Sequence, residues 1–417
     1  MFQALRNRNI ALLFSGQIVS IVGDMVLFIA LPFWVYQLTG SAMATGFMFA
    51  ALTLPQLLFS PIAGVVVDRV DRKRLMILSD LLRAALMVCY FFVNSAEQVW
   101  IIYLLAFAES AVSQFFRPAV MAVVPNLVNG EDELKRANAL LGASWAVGQL
   151  IGPALGGVLV TTSGPHGAAL FDAGSYLVSA LFVLFLRVPP RAQVAEKLND
   201  AAHAVQQITR ELIQGVRVVL DRPLLRVIFA SLAVLMLANG IINVLLIVIV
   251  NEIWHVGATE FGWFVSVQGI GGLAGTAIIG AIATRVSAKR LVIVGGVIAG
   301  LILMVMVNQP SIYVAMGLML IASIGIVGFD VGLTTLIQIG SDDSNRGRVA
   351  GLMHTAMAAA QLIAIGATSL LTDRVGAVIM LNIAAILFSL GGLVAILAPN
   401  VENETPPVPS AAAQPAE

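Results

Sequence analysis

Three carboxylates stand in long apolar runs: Asp24, Glu109 and Asp330. A carboxyl in hydrocarbon is costly, so it faces a partner or a water-filled cavity. Loss of water favours the protonated form, which lets such a group exchange a proton near neutral pH. The chemistry on offer is proton exchange, or the holding of a cationic solute. The alternative at each position is a hydrogen bond or salt bridge that only supports structure. Asp24 follows Gly23 and can cap a local kink, and Asp330 can lie near the end of its helix. Arg117 either neutralises an acid or belongs to a gate. Asp80 and Arg83 are one helical turn apart and are expected to pair with each other or to join the charged turn before them. Asp172 reads as structural, His354 as packing with a proton relay as its alternative, and Cys89 as a small core hydrophobe.

The elements that must position these groups are membrane helices. The 417 residues are 59% hydrophobic and 11% charged, far from the balance of a soluble domain. A spanning helix needs about 20 apolar residues. Twelve such runs are expected: 10–36, 43–67, 75–94, 99–124, 138–161, 168–188, 224–251, 261–284, 291–308, 311–338, 349–371 and 377–397. A β-barrel would instead show alternating segments of about ten residues. Alternate breaks are turn formers without Lys or Arg, as at Ser163, Gly164, Pro165 and His166; the others are basic. Of 23 Lys and Arg, 20 fall in or beside the N-terminus and the even-numbered connections, while Arg374 alone falls on the opposite side. Basic loops stay on the cytoplasmic side, so both termini are expected there. Arg6 and Arg8 precede a run too long for a signal-peptide core, which reads as a retained first helix.

One turn concentrates the charge. Between 68 and 74 stand two acids and four bases, preceded by Gly64: Asp68, Arg69, Asp71, Arg72, Lys73 and Arg74. It has a degenerate echo at Gly280, Thr284, Arg285, Lys289 and Arg290. Both follow the second helix of a six-helix half. The expected division is a bundle over 1–188, a linker over 189–222 that lies along the membrane as a partial helix or serves as a plain tether, a second bundle over 223–398, and a disordered tail over 399–417. Zero net charge gives no electrostatic case for nucleic acid.

The turn at 64–74 resembles motif A of the major facilitator superfamily. In the fifth run Gly148, Gly152, Pro153, Gly156 and Gly157 resemble its motif C, typical of the antiporter branch. The layout over 5–398 is similar to the bacterial exporters related to macrolide-efflux and enterobactin-export proteins, with support from 38–43, 71–80, 117–119 and 346–349. The fold this implies is an all-α polytopic membrane protein of twelve transmembrane helices in two pseudo-symmetric six-helix bundles. The resemblance departs in the fourth run. Where efflux relatives carry a mid-helix arginine, Glu109 stands nearby and Arg117 lies two turns on.

The resemblance implies that Asp68 caps a helix of the other half and latches the cytoplasmic side, with Asp71, Arg72 and Arg74 completing the network. Thr284 in the echo predicts a weaker second latch. Gly148, Gly152 and Gly156 share a face by their spacing; the resemblance implies that it packs on helix 8, at Gly269, Gly271, Gly272 and Gly275. Pro153 removes a backbone donor and can kink its helix. Helices 1, 4, 7 and 10 would line the cavity. That makes Asp24, Glu109 and Asp330 candidate coupling acids, and Gln17, Ser20, Phe107, Phe115, Met236, Asn239, Asn243, Thr334 and Gln338 candidate substrate contacts, each with helix–helix packing as its alternative. The function implied is proton-driven export of drug-like or amphiphilic small molecules by a monomer in the inner membrane of a bacterium. Export of one metabolite or siderophore, import or lipid flipping on the same scaffold, and a sensor or scaffold role are the rivals. No P-loop, HExxH, GxSxG or His cluster is present, so neither ATP, a metal, another cofactor nor enzymatic chemistry is expected.

Overall fold

The structure, a computed structural model, describes residues 2–188, 210, 213–342 and 345–399. Its membrane-length helices are α1 Arg8–Thr39, α2 Ala42–Arg69, α3 Arg72–Cys89, α4 Val99–Val123, a run Glu131–Leu184, α7 Pro223–Glu252, α8 Ala258–Ile282, α9 Ala288–Val307, α10 Ile312–Gly340, α11 Arg346–Val375 and α12 Ala377–Val394. These are 11 helices long and apolar enough to cross a membrane. The run Glu131–Leu184 is 54 residues, about 80 Å of helix against a hydrocarbon core of about 30 Å. It breaks at Gly164, where φ is 70° and ψ 178°, a conformation that glycine alone adopts freely. Pro165 follows and cannot continue the preceding helix. The run is therefore two crossings, α5 (131–163) and α6 (165–184), which brings the total to the expected twelve. α5 starts seven residues earlier than expected, because Glu131, Asp132 and Glu133 suit the positive end of a helix.

Several short connections are closed by capping residues. Ser41 accepts from the N–H of Ala44, Asp71 from that of Arg74 and Ser287 from that of Arg290. Gly40 closes α1 in the left-handed conformation.

The packing repeats after six helices. α1 is flanked by α5 and α6 as α7 is by α11 and α12; α4 lies on α2 and α3 as α10 does on α8 and α9. The halves meet along α5–α8 and α2–α11. These contacts gather at the end away from the charged turns: Gly46 lies against Ser369 and Ile365, Gly157 against Ala258 and Thr259, and Tyr36 donates to Glu252 Oε1 at 2.6 Å. The largest buried apolar cluster joins both halves there, with Val26, Ile29, Phe33, Val248, Phe261 and Ile365 among its members. At the charged end, Gly64 and Gly280 have no neighbour within 4 Å of a notional Cβ. The bundles are closed at one end and parted at the other.

Of the linker expected over 189–222, residues 189–209, 211 and 212 lie outside the described residues, as do 400–417 of the tail. Residues 213–221 are helical, and Gly215 packs against Arg348 and Leu352 of α11.

Candidate functional site

A cavity of about 820 Å³ opens within the first half, between α1, α4 and α5, with single residues of α2, α3 and α6 at its back. Asp24, Glu109 and Arg117 line it, with Gln17, Ser20, Gln114 and Asn138. Phe28, Phe116 and Trp145 supply aromatic wall, and Met25 and Met121 an adaptable apolar one. The Arg117 guanidinium lies 5.2 Å from the centroid of the Trp145 ring.

At the back of the cavity the charged groups form one connected set. Tyr176 of α6 places its hydroxyl 2.7 Å from Asp24 Oδ1 and 3.1 Å from Glu109 Oε1. Ser113 donates to Glu109 Oε1 at 2.7 Å, and Arg83 Nη1 to Ser113 Oγ at 3.4 Å. The Arg83 guanidinium is held between two rings, 4.4 Å from the centroid of Phe116 and 4.2 Å from that of Tyr176. Its Nη2 donates to Asp80 Oδ1, and both side chains are out of solvent. Asp172, fully buried one turn before Tyr176, accepts from Ser175 Oγ at 2.8 Å. It fits against α1 only because Gly23 has no side chain: a Cβ there would stand 2.1 Å from Asp172 Oδ1. Among these groups the buried Arg83 guanidinium pairs with Asp80 and reaches Glu109 through Ser113, while Asp24 is held by Tyr176 and Asp172 by Ser175.

Some of these groups escaped the sequence. Asp80 and Arg83 do pair, but Arg83 lies 11 residues into α3, about 16 Å along it, and belongs to the cavity rather than to the turn. A guanidinium from α3 thus stands at the back of the cavity, near Glu109 of α4. Tyr176 was not singled out; its spacing of four from Asp172 on α6 was the available signal.

Other expectations need correction. Phe107 and Phe115 do not face the cavity. They pack on Phe59 of α2, ring centroids 6.1 and 6.5 Å away, because eight residues apart on α4 they share the face turned to α2; Phe116, one position on, takes the cavity side. Met236 packs into a core cluster of the second half. Asn239 accepts from Asn243 Nδ2 at 2.8 Å, a bond between neighbouring turns of α7. Asp330, Thr334 and Gln338 form one exposed stripe on α10, separate from the cavity of the first half.

The glycine seam also differs. Gly148, Gly152 and Gly156 face α1, where notional Cβ atoms would stand 2.3 Å from Ile21 Cγ2, 2.3 Å from Met25 Cβ and 2.9 Å from Val26 Cα. The face toward α8 is offset by one residue: Gln149, Pro153 and Gly157 meet Gly269 and Gly262, and the Ala154 N–H donates to Ser266 Oγ at 2.9 Å. Gly271 and Gly275 turn instead to α10, and Gly272 is open. One residue turns a helix by 100°, so adjacent glycine rows serve different neighbours.

In the charged turn, Asp68 does not reach the other half. Its carboxylate is 71% exposed and pairs with Arg72 of the next helix at 3.2 Å. Arg72 also donates to Ala122 O at the end of α4 at 2.7 Å, and Lys73 to Leu186 O after α6 at 2.8 Å. Cations there meet the negative ends of two helices. Asp71 is occupied as the cap of α3, and Arg69 and Arg74 are exposed. The latch is not made because the halves have parted at this end. Among the described residues, no group of three or more His, Cys, Asp or Glu side chains is placed to hold a metal ion.

Two segments of the chain, residues 13–237 and 228–416, match the family model of the Major Facilitator Superfamily. The chain belongs to the major facilitator superfamily. Multidrug efflux pump Tap of Mycolicibacterium fortuitum, a relative within it, is 26% identical over 400 residues, 91% of this chain and 93% of the relative. Macrolide efflux protein A of Streptococcus pyogenes is 25% identical over 376 residues, 87% and 89% of the two. Among solved structures, a bacterial homologue of iron transporter ferroportin in inward-facing state aligns with a TM-score of 0.76 at 18% identity, over 94% of this chain and 99% of that one. The protein is a multi-pass major facilitator transporter; at these identities the solved structure speaks for the fold alone.

Proposed function

We propose that this transporter exports amphiphilic, cationic small molecules in exchange for protons. The observation that carries this reading is the cavity in which Asp24 and Glu109 stand beside Phe28, Phe116 and Trp145. An acid beside aromatic faces suits a lipophilic cation. Protons and cation then compete for the same carboxylates: uptake of a proton cancels the charge that holds the solute. The efflux names of two relatives support the direction.

The two halves, 1–188 and 223–398, rock against each other, opening and closing the way to the cavity of the first half. The excess of Lys and Arg in the basic turns supports a cytoplasmic position for the parted end and both termini, and in this reading the chain works as a monomer in the cytoplasmic membrane. The arrangement described is then the cytoplasm-open one. Closure brings Asp68 against the second half.

The test is transport of ethidium, a lipophilic cation, into inverted vesicles. With an acid-inside gradient the wild type should accumulate it. D24N and E109Q should each lose about tenfold or more, within the roughly 5- to 150-fold range of coupling energies. Accumulation indifferent to the gradient, or unchanged in both variants, would refute proton coupling through these acids.

A further inference from the structure

Tyr176 occupies a place that neither the fold nor the transport reading requires of it. Its hydroxyl oxygen lies within hydrogen-bond distance of two carboxyl oxygens at once, Asp24 Oδ1 at 2.7 Å and Glu109 Oε1 at 3.1 Å. A phenol has one hydrogen to give. If both acids are ionised, one of the two contacts holds no hydrogen. If one is protonated, both are satisfied: the protonated acid donates to the phenol oxygen, and the phenol donates to the other carboxylate. We propose that Tyr176 is a one-proton bridge that makes Asp24 and Glu109 take up and release protons as a unit.

The surroundings favour such a shared state. Around the phenol stand Asp24 from α1, Arg83 from α3 with Asp80 paired to it, Glu109 and, on the cavity wall, Arg117 from α4, and Asp172 from α6 itself. Arg83 is paired with Asp80, so the bridge has less than a full counter-charge to itself. Two neighbouring anions at the back of an apolar cavity repel each other; one anion and one acid joined by a phenol do not. The ring is also pinned. It lies on the Arg83 guanidinium, and the side chain is 1% exposed, so the hydroxyl cannot swing to another partner.

The bridge also conducts. Glu109 passes its proton to the Tyr176 oxygen as the Tyr176 hydrogen moves to Asp24. One O–H bond breaks and one forms at each end, tyrosine ends neutral, and the net result is transfer of one proton between the acids. Its use in transport rests on the proton-exchange reading above; the bridge itself does not.

The experiment titrates the purified full-length protein without any substrate and follows the carbonyl stretch of protonated carboxyls by infrared difference spectroscopy. D24N and E109Q assign the bands. In the wild type the pair should hold one proton across a broad pH window and lose its two protons in two separate steps. Y176F keeps the ring on Arg83 and removes only the hydroxyl. It should narrow that window by about one pH unit or more. Y90F is the control, because the buried Tyr90 hydroxyl has no hydrogen-bond partner; its window should match the wild type. An unchanged window in Y176F or an equal narrowing in Y90F would overturn the bridge. If Y176F does not fold, the phenol C–O stretch of ring-labelled wild type must shift in the step where the pair loses its last proton, and an unmoved band overturns the proposal. Failure of ethidium transport leaves this result standing, and the converse holds too.

Discussion

Arg83 is the residue on which the chemistry of the cavity turns. It is paired with Asp80, stacked between Phe116 and Tyr176, and linked through Ser113 to Glu109. Removing one member of a buried pair leaves a bare charge, which costs about 3–5 kcal/mol, whereas replacing both often costs little. R83Q should therefore lower thermal stability in detergent steeply, and the double variant D80N/R83Q should recover much of the loss. If the double variant is no more stable than R83Q, Arg83 is not the main partner of Asp80. Asp68 sits at the opposite extreme. Because its carboxylate is 71% exposed and pairs with Arg72, D68N should change stability by no more than the roughly 0.5 kcal/mol typical of surface changes while reducing transport. A large drop in stability would mean that Asp68 is buried in the dominant state.

α5 shows how a single helix divides its duties. Its row Gly148, Gly152, Gly156 fixes it to α1 inside the first half, and its row Gln149, Pro153, Gly157 presents backbone to α8 of the second. Two helices can approach this closely only where side chains are absent. A Cβ at Gly157 would stand 2.3 Å from Ala258 O, which is backbone and cannot turn aside, while a Cβ at Gly272 meets nothing within 4 Å. G157V should thus separate the halves at their closed end and reduce ethidium transport about tenfold, as about 1.4 kcal/mol of lost closure would; G272A should transport normally. Equal activity in the two variants would show that α5 and α8 need not touch during the cycle.

At the level of the molecule, the repeat offset is 216 residues: Gly64 to Gly280, Asp71 to Ser287, Lys73 to Lys289. Tyr36 and Glu252 are separated by the same 216. Equivalent positions of two halves meet only near the pseudo-twofold axis, so this hydrogen bond marks where the axis crosses the closed end. A hydrogen bond to a charged group contributes about 1.5–3 kcal/mol. Y36F should reduce the population of the present arrangement about tenfold or more relative to its alternative, read as spin-label distances across the closed end; distances that do not change would make the bond incidental. The same offset exposes an asymmetry. Opposite Asp24, Asp80, Arg83 and Glu109 stand Gly240, Gly296, Ala299 and Gly325. Where the first half keeps charge, the second packs backbone on backbone, as at Gly325 on Gly295 and Ala299. One half holds the polar chemistry and the other serves as a close-packed counterpart.

The sequence by itself determined the helices, their number, the repeat and the stranded acids. Each of these follows from local rules: hydrocarbon thickness sets run length, glycine and proline break runs, and a lone carboxylate in an apolar stretch must find a partner or water. Tertiary structure alone decided which faces meet. Phe107 against Phe116, or Gly156 against Gly157, differ by a small rotation about one axis, and sequence spacing cannot say which neighbour stands on each side. It also took the folded bundle to bring Tyr176 from α6 between acids on α1 and α4, because a phenol shared by two carboxyls is a relation among three helices, and no single stretch of chain contains it.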